Sequence, residues 1–413
     1  MKIAEKSIWK YTIVYYDNAC SKRCAERIRD AIVKRVGVRL PMLTDSFDER
    51  ECEILVGKTC RRESVEIRDR YDRPNICYDI QVKNNKLVCM GEGYQTLDRV
   101  ASVLEDIILS AQSVCLDGVI VSGDLRREPD GDMIERADGT QVRVFDWNLN
   151  APANTGDNWQ MNAERVSDVM LRHLPDVIGT NELYNSKNCM PYKRFYDAVV
   201  REISDHYTVL EGSTYDEGQP LEGIVGDPNR YGTPPHHIFI NKASGIKSLR
   251  SGYRYTQNLV AYHGYRWAVL EGKDNEKFIF SVGHYEDCRS NPDCAIGHME
   301  TVDFAQKLSG SEQPLPTIIT GDLFTHIGCH KGGYYAFLEA GYTDAQRSAD
   351  VNCNGDITWS TYHHPGRYSP RWASIDLIFC NAQARALKFK VITSQEALDV
   401  SDHCPVCADI KFN

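Results

Sequence analysis

At 413 residues the chain exceeds the usual ceiling for one hydrophobic core, so two domains are expected. Its 42% hydrophobic and 26% charged residues exclude a disordered or fibrous class. The net charge of -10 argues against sequence-independent binding of long duplex nucleic acid, which rests on lysine and arginine neutralising phosphates.

Residues 1–120 alternate short strands and helices, the pattern of a small α+β domain. "YTIVYYD" predicts a strand, "CAERIRDAIVKRVG" a helix stopped by Gly37, and "CEILVGK" a second strand. "ICYDIQVKNNKLVCMGEG" predicts a hairpin turning at Asn84 and Asn85, and "TLDRVASVLEDIILSAQ" a helix capped by Thr96. Residues 121–140 are charged, rich in Gly and Asp and poor in apolar side chains, as an interdomain linker would be.

From Gln141 onward, short apolar runs recur and close on polar residues: "VRVFDWNLN", "PDVIGTNEL", "HHIFINK", "RWAVLEG", "KFIFSVGHYED", "PTIITGDLF", "SIDLIFC" and "CPVCADIKF". Helical stretches such as "NAERVSDVMLRHL" and "HMETVDFAQKL" separate some of them. Residues 141–413 therefore predict two sheets packed face to face between helices, with polar groups gathered at one set of strand ends.

The groups at those ends are Asn148, Glu182, His284, Asp322, Asp376, Asp402 and His403. Each alone has an ordinary explanation as a turn residue, cap, surface ion or satisfied core histidine. Leaving carboxylates near a core is costly, so such groups are there either because partners satisfy them or because a site needs them, and the order and local sequence of all seven are less easily dismissed.

In order, "WNLN", "PDVIGTNE", "GHYED", "IITGD", "SIDLIF" and "SDHCPV" resemble the motif series of the endonuclease/exonuclease/phosphatase superfamily, the deoxyribonuclease-I-like fold. The resemblance implies an α+β protein with a C-terminal four-layer α/β/β/α sandwich and a smaller N-terminal α+β domain. It implies a phosphoesterase using Mg²⁺ or Mn²⁺, in which Glu182 ligates the metal, Asn148 lies beside metal and phosphate, and Asp402 joins or supports the metal shell. It further implies that Asp322 aligns or deprotonates the attacking water. His403 would face the scissile phosphate with its ring oriented by Asp376, and His284 would serve the leaving group.

One position departs from the pattern. The family's Gly-Asp-x-Asn reads Gly321-Asp322-Leu323-Phe324 here, so an amide donor is replaced by a ring. Thr325, His326 or an asparagine from a loop is expected to supply the missing donor, with His326 preferred, and Trp372, in the cluster "TYHHPGRYSPRW" ahead of a predicted strand, is expected to contact substrate. "PPHHIF" holds two further histidines, His236 and His237, read more simply as loop residues.

The expected substrate is a small phosphodiester, phospholipid headgroup or sugar phosphate. The rival reading is a catalytically impaired relative kept for binding. The first domain resembles the accessory domain preceding the catalytic barrel of some glycoside hydrolases, which implies glycan or protein contact. Fifteen cysteines, an odd number without paired CxxC knuckles, predict free thiols in a reducing compartment. No run of about 18 apolar residues occurs and residues 1–17 show no leader pattern, so a cytoplasmic location without a membrane span is expected.

Overall fold

The computed structural model describes residues 1–72, 74–110, 114–125, 135–185, 189–210, 235–256, 263–285, 294–310, 313–325, 333–354, 361–362 and 374–413. The chain forms two compact units, Met1–Met133 with Ser167–Arg172 and Ile134–Val166 with His173–Asn413. Among the described residues no helix is long and apolar enough to cross a membrane.

The first unit is built on a six-stranded sheet. Its strands are β1 (Thr12–Tyr15), β2 (Met42–Thr44), β3 (Glu53–Val56), β4 (Cys77–Lys83), β5 (Lys86–Gly91) and β6 (Val119–Asp124), in the order β2-β1-β3-β5-β4-β6. β2, β1, β3 and β5 run parallel, whereas β4 and β6 are antiparallel to their neighbours. Alternation sorts the side chains: Val14, Leu55, Val88 and Met90 pack with Ile67 of α2 (Arg62–Arg68).

α1 (Ala19–Val36) ends at Gly37 in the left-handed conformation, φ 73°, as its sequence predicts. The β4-β5 turn is made by Asn84 and Asn85, both at positive φ. Two expectations change here. α3 (Tyr94–Ser110) starts ahead of Thr96, which lies within its first turn and bonds back to Gly93, so the apolar periodicity concealed the true start. Residues 121–124, assigned to the linker, complete β6, because β4 offers an open edge on which a polar strand can pair.

The second unit is a sandwich. One sheet has seven strands: β7 (Val142–Asn148), β8 (Val177–Asn181), β9 (Tyr207–Val209), β10 (His237–Asn241), β16 (Val351–Asn352), β18 (Ala384–Val391) and β19 (Val406–Phe412), in the order β9-β10-β8-β7-β19-β18-β16. The other has six: β11 (Lys247–Tyr255), β12 (Gly264–Glu271), β13 (Lys277–His284), β14 (Thr317–Asp322), β15 (Thr343–Asp344) and β17 (Asp376–Cys380), in the order β11-β12-β13-β14-β17-β15.

Every second residue faces the opposing sheet, and those residues form one core: Val142, Val144 and Val177 from the first sheet with Phe278, Phe280, Val282, Ile318 and Ile378 from the second. Each large side chain so buried contributes about 1.5–3 kcal/mol. On the second sheet's outer face Trp267, Ile279, Ile319 and Phe379 pack with Val302 and Ala305 of α4 (Cys294–Ser309) and Phe337 of α5 (Gly333–Glu339). Both faces of this sheet are covered, which explains its nearly continuous apolar runs.

Candidate active site

The alternation that builds the inter-sheet core also aims the polar groups. Asn148 is in phase with Val142 and Val144, His284 with Phe280 and Val282, Asp322 with Ile318, and Asp376 with Ile378. The chain places polar groups where each inward series reaches the same end of the sandwich. Strand pairing then sets them side by side: His284 pairs with Asp322, Asp322 with Asp376, and Asn148 with Asn181.

Asn148 ties the two sheets together, its Nδ2 donating to Asp322 Oδ2 at 2.9 Å and to Glu182 Oε1 at 3.1 Å. His284 Nε2 lies 3.4 Å from Asp322 Oδ2 and 3.5 Å from Glu182 Oε1. His403 Nδ1 is 2.9 Å from Asp376 Oδ2, and its Nε2 is 3.7 Å from Asp322 Oδ2. Asp322 is thus shared by both histidines and the amide. Asn148, Asp322 and Asp376 are fully buried and the histidines almost so, whereas Glu182 keeps about a fifth of its side chain exposed, 21%.

The backbone strains to arrange this. Asn150, Glu182 and Phe324 follow β7, β8 and β14 and adopt φ of 40°, 52° and 46°. Such values suit asparagine but cost about 1–3 kcal/mol for residues such as Glu182 and Phe324, and persist there only where the surroundings over-determine them. Gly321 must be glycine for a different reason: a Cβ there would lie 1.9 Å from Gly283 O, so β13 and β14 could not approach this closely.

Electrostatics divide the roles. Burial alone disfavours charge on His403, but Asp376 first, then Asp322 and Asp402, hold it as an imidazolium and lift it to about 10. Burial moves Asp376 up to about 6, with His403 opposing that rise. Burial also raises Asp322, yet His403, His284 and Asn148 together keep it below the ordinary carboxylate range. At neutral pH the centre is therefore a carboxylate, Asp322, beside an imidazolium locked to a second carboxylate.

Six of the expected residues converge directly: Asn148, Glu182, His284, Asp322, Asp376 and His403. Two groups among the described residues bring three acid or imidazole atoms within 4.8 Å of one another, Glu182 with His284 and Asp322, and Asp322 with Asp376 and His403. Asp402 belongs to neither. Its Oδ1 accepts from Asn150 Nδ2 at 2.8 Å and lies 3.9 Å from His403 Nε2, at the margin of the cluster. Phe324 sets its ring 5.4 Å from that of His284. His326 and Trp372 lie outside the described residues.

Other site neighbours were not legible as such. Asp146, in phase with Asn148, is buried beneath the site, where burial and then Asp376 and Asp322 raise it well above the usual range. Strand alternation within "FDWN" was the available signal. Asn181 has its amide 2.7 Å from Gly283 O and 3.3 Å from Asp322 N, so the nitrogen donates to the first and the oxygen accepts from the second. The Tyr362 ring stands 5.2 Å from that of His403. Thr361 Oγ1 accepts from Asp376 N at 2.9 Å, fixing the strand that carries the acid. His236 and His263 also border His284, at ring separations of 5.9 and 5.3 Å. Trp147 Nε1 donates to His403 O at 2.8 Å, and Ser401 Oγ donates to Asn148 O at 2.7 Å, seating the His403 segment against β7.

No protein-family model matches the chain, and no curated protein matches it. Solved structures do. One is an endonuclease/exonuclease/phosphatase from Bacteroides vulgatus, 17% identical, with a TM-score of 0.50 over 66% of this chain and 99% of that one. Another is a mannosyl-6-phosphatase of Bacteroides thetaiotaomicron, 19% identical, with a TM-score of 0.50 over 66% of this chain and all of the other, 100%. At such identity the likeness shows the fold.

Proposed function

On the deoxyribonuclease-I-like fold of the endonuclease/exonuclease/phosphatase superfamily, which this chain adopts, we propose a metal-dependent phosphoester hydrolase acting on a small phosphoester. The observation that carries the reading is the convergence on Asp322 of Asn148, His284 and His403, beside the partly exposed Glu182.

Hydrolysis requires a positioned water, compensation of charge on the phosphoryl oxygens, and a proton for the departing oxygen. Asp322 accepts a proton from water as the water oxygen bonds to phosphorus. The phosphorus–oxygen bond to the leaving group breaks with its electron pair on oxygen, which takes a proton from His284. His403, kept protonated by Asp376, donates to a phosphoryl oxygen.

The donor set fits a hard divalent cation: the Glu182 carboxylate is reachable and is bonded by Asn148 Nδ2, the Asn148 amide oxygen accepts from Asn150 N, and Asp402 is the peripheral acid. Mg²⁺ or Mn²⁺ held there would supply further charge compensation to the phosphate. Sugar phosphates are the first substrates to try, a choice supported by the name of the mannosyl-6-phosphatase neighbour. Small phosphodiesters and phospholipid headgroups follow.

The cysteines whose side chains are described are free thiols, which supports a reducing, cytoplasmic setting. A glycan- or protein-binding role remains our reading of the first unit, on its accessory-domain pattern.

Phe324 in place of the family asparagine favours one second reading, a binding protein without turnover. Hydrolysis of bis-p-nitrophenyl phosphate and a panel of sugar phosphates, with and without Mg²⁺ or Mn²⁺, decides between them. Turnover that needs metal and is lost in Asp322→Asn and His403→Ala supports the enzyme; its absence across the panel supports the binding protein.

A further inference from the structure

Phe324 is a poor residue for the backbone it occupies. At φ 46° the left-handed region suits glycine or asparagine, and a bulky residue there is an outlier. The conformation is imposed from both sides. Leu323 N donates to Ile375 O at 2.9 Å, and the buried His298 bonds Leu323 O at 2.7 Å. Thr325 is buried and accepts from Tyr334 N at 3.0 Å, while Phe324 N itself donates to Asp322 Oδ1 at 3.3 Å. With the backbone held, the only freedom left to sequence is which side chain it presents.

What it presents is a wall. The Phe324 ring meets the His284 imidazole edge-on, 5.4 Å away with the planes at 68°. His263 stands at 5.3 Å and 59°, and His236 at 5.9 Å and 48°. All three imidazoles are buried, and His236 stacks on the buried Tyr253 at 5.8 Å. Burial holds His236 and His263 neutral, so they pack on His284 as rings and not as competing cations. Among the described rings of this enclosure, Phe324 is the one that is partly exposed.

We propose that Phe324 is a positioning residue: its ring closes the enclosure of His284 and fixes the imidazole that protonates the leaving group. The inference rests on the phosphoesterase reading above. In that step the phosphorus–oxygen bond breaks, its electron pair stays on the leaving oxygen, and the His284 proton moves to that oxygen as water supplies the new bond. A misplaced donor matters most when the leaving oxygen is basic, since an acidic phenol departs unassisted. Asparagine at 324 would relieve backbone strain while removing the wall, so stability and catalysis are pushed in opposite directions.

The test compares Phe324→Asn, Phe324→Leu, His284→Ala and the Phe324→Asn/His284→Ala double variant on aryl phosphoesters from p-nitrophenol to phenol, whose pKa is about 10, as for tyrosine. In Phe324→Asn the melting temperature should hold or rise. Its kcat should fall about 3-fold for p-nitrophenyl and about 30- to 100-fold for phenyl leaving groups, the scale of a misaligned catalytic group. The double variant should be no worse than His284→Ala.

The proposal is overturned if Phe324→Asn lowers kcat equally across the series, if KM alone rises, or if activity rises on every substrate. A turnover-free readout separates this from the parent reading. In wild-type protein the His284 imidazole should give a single sharp set of NMR signals, which broadens or splits in Phe324→Asn. An unchanged set overturns the positioning role whether or not the protein hydrolyses anything.

Discussion

Asp376→Asn isolates the electrostatic core of the site. The carboxylate is fully buried and its Oδ2 lies 2.9 Å from His403 Nδ1, the shortest polar contact His403 makes with a charged partner. Raising His403 from 6.5 to about 10 corresponds to about 5 kcal/mol in favour of the imidazolium. Asp376 is the largest favourable contributor, and burial the largest opposing one. An amide keeps the shape but removes the charge, leaving burial opposed only by the more distant Asp322 and Asp402, at 3.7 and 3.9 Å. His403 should then titrate below pH 7. Initial rates from pH 5 to 10, with His403 followed by NMR, measure both consequences. At pH 7 kcat/KM should drop about 100- to 1000-fold, as for loss of a preorganised donor to a phosphoryl oxygen. If His403 in Asp376→Asn stays protonated at pH 8, or the rate falls less than threefold, the assignment of Asp376 as its counterion is wrong.

The remaining expectations concern metal, base, pH and scaffold. Mg²⁺ or Mn²⁺ should raise the melting temperature of the wild-type protein and not of Glu182→Gln; at 100 times Kd the linkage is worth about 2.7 kcal/mol, and equal shifts in both proteins would remove Glu182 from the metal. Asp322→Asn should cut kcat about 100-fold or more while KM changes a few-fold, because its carboxylate touches Asn148, His284 and His403 at once; steady-state kinetics would show otherwise by a KM effect alone. His403 is raised on folding, so its stabilisation is fully present below pH 6.5 and is lost as pH climbs through about 10. The stability gap between wild type and His403→Gln in urea should therefore shrink over that window. Asp409→Leu should destabilise by about 3–5 kcal/mol in denaturant, since Arg143, bonded to it at 2.6 and 2.9 Å, would be left charged and buried.

The single sequence carried the local physics of this protein far. Short apolar runs closing on polar residues, as in "KFIFSVGH" and "VRVFDWN", predict strands, and the alternation of side chains along a strand places His284 and Asn148 on the core-facing side. Six of the strand-end groups in the ordered motifs, Asn148, Glu182, His284, Asp322, Asp376 and His403, lie together in the fold. Gly37 and the Asn84-Asn85 pair announced a helix stop and a hairpin, because backbone preferences at such positions act within a few residues.

What tertiary structure decided is which groups touch. Asn148 and Asp322 are 174 residues apart and His403 and Asp376 are 27 apart, distances across which periodicity carries no information. Only the packing of two sheets made Asp322 the shared partner, put Asp402 at the margin and drew His236 and His263 to the side of His284. The same holds for Phe324. Its sequence position marked a missing amide, but the held backbone and the ring against His284 turned that absence into a wall. Side-chain identity is a local property, whereas the environment that sets its charge and orientation is assembled from strands distant along the chain.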